Sequence, residues 1–151
     1  MNYRFVHLKN SPEKFFGILP KDWQHVIIPN WKNFENTSSI YVFEEDNNII
    51  AGGIVFKNKH PEISKFEEEF LYLYVENYFY LGFIWVIPEK RNQKLASLWL
   101  HNIKEINPFQ KFWLTTEEAS LKYFYEKNGF KLIAESDDPT YKEWIFTSDN
   151  S

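Results

Sequence analysis

The chain contains no cysteine. Disulfides, thiolate metal sites and a thiol nucleophile are therefore excluded. Glycine is scarce at 5 residues, and no Gly/Ser-rich linker, low-complexity segment or internal repeat divides the 151 residues. One continuous domain over 1–151 is the expectation. Basic charge is also in short supply: 17 Lys and Arg stand against 21 Asp and Glu, for a net charge of −4. Nucleic-acid binders usually carry the opposite balance, so nucleic acid is not an expected partner. No apolar run is long enough to span a bilayer, so no membrane partner is expected either. Met1-Asn2-Tyr3-Arg4 is followed by no apolar signal region, which makes cytoplasmic the expected location. No Ser sits in the strand-to-helix elbow that a hydrolase nucleophile needs. His7, His25, His60 and His101 share no ligand spacing, so no metal site is expected. What the chain has in excess is ring surface. Aromatics reach 20%, with 15 Phe, 9 Tyr and 6 Trp, enough for a sizeable core or a broad apolar cleft.

The pattern along the chain is α/β. Tyr3 to Leu8 alternates as a strand, with Tyr3, Phe5 and His7 on one face. Ser11-Pro12-Glu13 starts a short helix that ends near Gly17, and a second helix starts near Pro20 and is expected to stop before Pro29. Ser39 to Glu44 and Ile49 to Phe56 read as a hairpin across Glu45-Asp46-Asn47-Asn48. Gly52-Gly53 within it predicts a bulge or a close backbone approach. Pro61 to Asn77 predicts a helix followed by a loop or an early strand, because Tyr72 to Tyr80 is β-prone. Tyr80 to Ile87 is a near-continuous apolar run, hence a central strand buried on both faces. A helix is expected from Arg91, with Leu95, Leu98, Trp99, Asn102, Ile103 and Ile106 on one face, stopped by Asn107-Pro108. Lys111 to Thr115 is a strand, and Glu117 to Asn128 a helix closed by Gly129. Phe130 to Ala134 and Lys142 to Phe146 are strands. The order β-α-α-β-β-(α)-β-α-β-α-β-β gives a central mixed sheet flanked by helices.

The stretch from Tyr80 to Leu100 carries the chemistry. A buried strand runs through a short turn into a helix, and the first N–H groups of a helix lack partners and carry partial positive charge. Aimed together off a strand end, they suit a phosphate, with Arg91 and Lys94 adding charge beside them. Every strand-to-helix unit has such a terminus, so on spacing alone the favoured reading is a helix start with two solvated cations.

A second stretch sharpens the reading. Val86-Ile87-Pro88-Glu89-Lys90-Arg91-Asn92-Gln93-Lys94-Leu95-Ala96 resembles motif A of the GNAT N-acyltransferase family, V-x-P-E-x-R-x-x-G-x-A. Phe124-Tyr125-Glu126-Lys127-Asn128-Gly129-Phe130 is similar to the end of its motif B, F/L-Y-E-K-x-G-F. The two are correctly ordered and cover about Tyr80 to Glu135. The resemblance implies a single-domain GNAT-like fold and an acetyl-CoA-dependent N-acetyltransferase acting by direct amine attack. It implies that the backbone of Ile84, Trp85 and Val86 pairs with the pantetheine arm of acetyl-CoA. It implies that Asn92, Gln93, Lys94, Leu95 and Ala96 hold the pyrophosphate, with Arg91 beside it. Tyr125 would protonate the departing thiolate, a task a neutral phenol can perform. Lys94 stands where the family has Gly, and Glu118 where motif B has Asn. Glu118 thus belongs to the expected cofactor contacts, without the amide donor.

On the acceptor side, Tyr80 to Ile87 holds no carboxylate. Glu76 is the nearest upstream acid and the candidate proton acceptor, with Glu67, Glu68 and Glu69 further back; for each of the four, solvated surface is the commoner role. Tyr78, Tyr80, Trp23, Trp31 and Phe34 are candidates for the acceptor cleft, with core packing the commoner role for each. The expected partner is an amine on a small molecule, peptide or protein, and a second copy of the chain is a further candidate partner. Two other readings stand beside the enzyme: a CoA-holding module of weak turnover, and a protein-interaction domain that uses its aromatics.

Overall fold

The computed structural model describes residues 2–149; Met1, Asn150 and Ser151, part of the expected 1–151 domain, lie outside the described residues, as does the first residue of the Met1-Asn2 start. Among the described residues seven strands form one sheet: β1 (Arg4–Leu8), β2 (Ser38–Glu45), β3 (Asn48–Phe56), β4 (Tyr78–Val86), β5 (Lys111–Thr116), β6 (Lys131–Glu135) and β7 (Trp144–Ser148). Their order across the sheet is β1-β2-β3-β4-β5-β7-β6. Every neighbouring pair is antiparallel except β4 and β5, which are parallel. The described residues also form six α-helices: α1 (Glu13–Phe16), α2 (Lys21–Phe34), α3 (Lys65–Glu68), α4 (Tyr72–Val75), α5 (Leu95–Ile106) and α6 (Lys122–Lys127). The expected mixed α/β sheet with its early hairpin is the observed one.

Two buried clusters lie on opposite faces. One gathers α5 and α6 side chains with Phe112 and Leu114 of β5. The other gathers α1, α2 and α4 side chains with Trp113 of β5 and Tyr80 of β4. Gly52 and Gly53 let both layers close on β3. A Cβ on Gly52 would lie 2.7 Å from the Phe15 ring, and one on Gly53 2.6 Å from the Trp99 ring. The β2–β3 turn places Asp46 and Asn47 at φ 50° and 68°, the two-residue geometry that matches strand twist.

Four local expectations are corrected. α2 runs through Pro29 to Phe34: the missing N–H costs one intrahelical bond, but Trp31 packs on Phe16 and Phe34 on Phe56, and this burial holds the last turns in place. The β-prone Tyr72–Val75 forms the one-turn helix α4, with Leu73 buried beneath it; tertiary packing overrides a weak strand preference. α5 starts at Leu95 rather than near Arg91, because Asn92 and Lys94 adopt left-handed φ of 64° and 63°. Its buried stripe is Leu95, Trp99, Leu100 and Ile103, while Leu98 and Ile106 are exposed. The expected helix from Glu117 begins as a tight turn over Ala119–Leu121 and becomes α-helical only at Lys122.

Candidate active site

β4 and β5 pair only through Tyr78–Lys111, Phe79–Phe112 and Tyr80–Trp113. Beyond these residues the strands part. The cause lies in β4, where the β3–β4 register slips between Gly52 and Ile54 and Phe83 takes a left-handed φ of 56°. Tyr78 and Tyr80 face the α1–α2 side and Phe79 and Leu81 the α5 side. After the slip, Phe83 and Trp85 face α1–α2, while Ile84 and Val86 face α5. Such a bulge bends a strand and raises its twist. The result is a wedge between the C-terminal halves of β4 and β5, with the β5-side backbone of Phe83 to Val86 outside the ladder.

At the mouth of the wedge stands the N-terminus of α5. Lys94 sits at its N-cap in left-handed backbone, and no side chain caps the first turn. Left-handed residues are normally Gly; here lysine holds the turn while Leu95 is buried and Ala96 half-buried at the helix start. Asn92 and Gln93 are exposed in the same loop, and Gln93 accepts a hydrogen bond from the Tyr3 hydroxyl, which ties the loop to the β1 end. Arg91 is drawn back onto β4. Its Nε donates to the Val86 carbonyl at 3.1 Å, and its guanidinium lies 4.6 Å from the centre of the Trp85 ring. Its charge therefore stands on the α1–α2 side of the wedge, with Lys94 nearer the helix terminus.

Tyr125 is 8% exposed within the α5–α6 cluster, against Phe124, Phe130 and Phe146. Its hydroxyl has no hydrogen-bond partner among the described residues. Burial, with the charge of Glu118, pushes its pKa up to about 12, so it holds its proton at neutral pH. Glu118 itself is exposed, and its backbone N–H donates to Thr116 Oγ1 at 3.2 Å.

The other face of the wedge is walled by aromatics. Trp23 meets Phe83 and Trp85 edge to face, at centroid distances of 5.7 Å and 5.4 Å. Trp31 and Phe34 lie further into the α2 packing. Tyr78 stands at the start of β4, its hydroxyl donating to Asp149. Glu76 is exposed at the end of α4, before β4 begins at Tyr78; it stands by the paired end of β4 and β5, and the structure does not bring it into the wedge beyond Tyr80.

Glu67 is a correction. It is not solvated surface but 5% exposed. Ser64-Lys65-Phe66-Glu67 is a capping box: Ser64 Oγ accepts from the Glu67 N–H at 3.1 Å, and Glu67 Oε1 accepts from the Ser64 N–H at 3.0 Å. That exchange holds the Glu67 side chain back against the helix start. Its Oε2 accepts from Thr115 Oγ1 at 2.6 Å and from the Tyr80 hydroxyl at 3.2 Å, and lies 3.1 Å from His60 Nε2. His60 stacks on Tyr80 at a centroid distance of 3.6 Å, and its Nδ1 lies 2.7 Å from the Tyr74 hydroxyl. Burial alone would raise the Glu67 pKa, but the hydrogen bond and charge of His60, with Thr115 and the Ser64 N–H, outweigh it and hold the carboxyl below its ordinary range. The Ser64-x-x-Glu67 capping-box spacing is readable in the sequence, but it marks a helix start and not the burial of its carboxylate. Among the described residues no group of three or more His, Asp or Glu is placed to hold a metal ion, and no helix is long and apolar enough to cross a membrane.

The sheet with its parting strands and the helix at the wedge define an acetyltransferase-type α/β domain. The chain belongs to the GNAT acetyltransferase family: the family described as Acetyltransferase (GNAT) domain matches residues 36–132. Its fold is similar to that of a GNAT-family acetyltransferase from Staphylococcus aureus Mu50, at 17% identity over 99% of this chain and 100% of that one, with a TM-score of 0.67. It is similar to the ribosomal-protein-S18-alanine N-acetyltransferase of Escherichia coli, at 13% identity over 99% and 95% of the two chains and a TM-score of 0.68. It is also similar to the PaiA N-acetyltransferase of Thermoplasma acidophilum in complex with coenzyme A, at 14% identity over 99% of each chain and a TM-score of 0.64. No curated protein matches the chain.

Proposed function

We propose that this protein moves an acetyl group from acetyl-CoA to a primary amine on a small molecule, peptide or protein. The observation that carries the reading is the wedge: an unladdered β4 edge over Phe83 to Val86 that leads to an uncapped helix start at Leu95. The arm of acetyl-CoA is an extended amide chain ending in a pyrophosphate. The first part suits backbone groups that lack a neighbouring strand, and the second suits N–H groups at a helix start with Lys94 beside them. Family membership supports the acetyl donor, and the fold neighbour from T. acidophilum is itself a coenzyme A complex.

The roles follow from the chemistry. The backbone of Ile84, Trp85 and Val86 holds the amide arm, and an N–H near Val86 stabilises the oxyanion as the amine adds to the thioester carbonyl. Gln93, Lys94, Leu95 and Ala96 hold the pyrophosphate. Tyr125, protonated at neutral pH, gives its proton to the departing thiolate. The amine approaches from the α1–α2 side, past Trp23 and Phe83.

Isothermal titration with acetyl-CoA, followed by thiol release across alkyl diamines, amino sugars and peptide N-termini, tests the proposal. Heat of binding together with amine-dependent thiol release is the expected result. Binding without release for any amine leaves a CoA-holding module. No heat at millimolar ligand removes the reading.

A further inference from the structure

From the buried carboxylate hub we infer that Thr115 and Glu67 form a proton relay that serves the incoming amine. The inference rests on the acetyl transfer proposed above and assigns its acceptor side.

The placement comes first. Thr115 lies two residues beyond Trp113, the last β5 residue laddered to β4, and so on the β5 arm of the wedge. Side chains alternate along a strand; Trp113 belongs to the α1–α2 cluster and Leu114 to the opposite one, so Thr115 faces the α1–α2 side. It is half-buried between the buried Leu114 and Thr116. At the same level on β4 stands Gly82, where a Cβ would lie 3.0 Å from the Tyr80 ring. Tyr80 leans into that space, and its hydroxyl reaches Glu67.

The hydrogen bonds then fix what Thr115 offers. A hydroxyl has one proton and two lone pairs. The Thr115 proton is committed to Glu67 Oε2 across 2.6 Å, a length typical of a hydroxyl donating to a charged oxygen. With its proton on Glu67 and the Tyr80 hydroxyl also a hydrogen-bond neighbour, Thr115 keeps a lone pair that accepts a hydrogen bond from an amine N–H. Glu67 is locked in turn by the Ser64 N–H, His60 and Tyr80. Burying a carboxylate is costly unless it is paired and hydrogen-bonded, and these donors hold Glu67 in its charged form beside Thr115.

The step balances. The neutral amine nitrogen bonds to the thioester carbonyl carbon and becomes acidic. Its proton passes to Thr115 Oγ1 as the Thr115 proton passes to Glu67 Oε2. The C–S bond breaks, the thiolate takes a proton from Tyr125, and the products are the amide and the free thiol. Solvent then returns a proton to Tyr125 and removes one from Glu67. Thr115 is the catalytic residue that touches the amine, and Glu67 acts through it.

The test uses the full chain with acetyl-CoA and the amine turned over best in the panel above. Thr115→Val keeps the shape and removes the hydroxyl; Thr115→Ser restores it; Glu67→Gln keeps an acceptor for Thr115 but cannot take its proton. The expected result is a fall in kcat of about 10²-fold for Thr115→Val and for Glu67→Gln, with acetyl-CoA affinity unchanged by titration. Thr115→Ser recovers most of the rate, and the wild type shows a curved proton inventory in mixed H2O and D2O that turns linear in Thr115→Val. A purely structural role would lower the melting temperature and leave kcat and the inventory alone. Wild-type kcat in Thr115→Val, or no recovery in Thr115→Ser, overturns the relay while acetyl transfer stands. A wild-type chain that neither binds nor turns over acetyl-CoA overturns both.

Discussion

A single hydroxyl separates Tyr125 from a core phenylalanine. Its ring is packed on three others, yet its oxygen has no partner among the described residues, and burial followed by the Glu118 charge raises its pKa to about 12. Tyr125→Phe keeps the ring and leaves no buried donor unsatisfied. The expected outcome in steady-state kinetics is a fall in kcat of about 10² to 10⁴ with KM for acetyl-CoA nearly unchanged. Normal turnover with only a small change in melting temperature would return Tyr125 to the core. The Phe124 to Phe130 motif marks Tyr125 as a candidate in the sequence. Glu67 is not marked in this way, although its capping box was in plain view. A carboxylate at the third position of a helix reaches back to the cap in any context; whether it meets water or a sheet depends on where that helix lands, and His60 and Thr115 arrive from segments 7 and 48 residues away.

Elements were legible where one force dominated. The apolar run that makes β4 a strand, the hairpin of β2 and β3 and the helical period of α5 each override local detail. Only Tyr80 and Leu81 of β4 are fully buried, and the buried face of α5 shifts to include Leu100 and leave out Leu98 and Ile106. The α2 continuation past Pro29 and the helix at Tyr72–Val75 were not, because contacts from distant residues decide them. The start of α5 belongs to the same class. A sequence cannot state that Lys94 takes the φ of 63° that glycine adopts freely. That conformation costs a side chain about 1 kcal/mol. Lys94→Gly is expected to stabilise the folded chain by up to that amount in urea unfolding, and to weaken acetyl-CoA binding more at low salt than at high salt as the ammonium is lost. Binding that is unaltered at every ionic strength would exclude Lys94 from pyrophosphate recognition.

At the scale of the molecule, the buried titratable groups set the pH range of stability. Glu67 has a folded pKa below its ordinary value of 4.5. The stability it contributes is present above that value and is lost as pH falls through the folded pKa. Tyr74, Tyr80 and Tyr125 are all raised above 10.0, by burial first. Their contribution is complete below pH 10.0 and is lost as pH rises above it. Melting temperature measured from pH 3 to pH 11 is therefore expected to fall on the alkaline side beyond about pH 10. The gap between wild type and Glu67→Gln is expected to shrink as pH drops below 4.5. A gap that is constant with pH would mean that Glu67 gains nothing from its charge.

The parted strands have one more consequence. A row of unladdered backbone groups is adhesive, and on the rim of a sheet it invites other chains to stack on it. Here the row over Phe83 to Val86 faces the diverging β5 within the sheet rather than its outer rim. A folded neighbour presents a sheet or a helix and is too thick to enter, whereas a slender linear chain can slide in from the end. The same divergence that leaves the edge available to a thread-like guest shields it from aggregation, so selectivity for shape and solubility of the fold come from one gap.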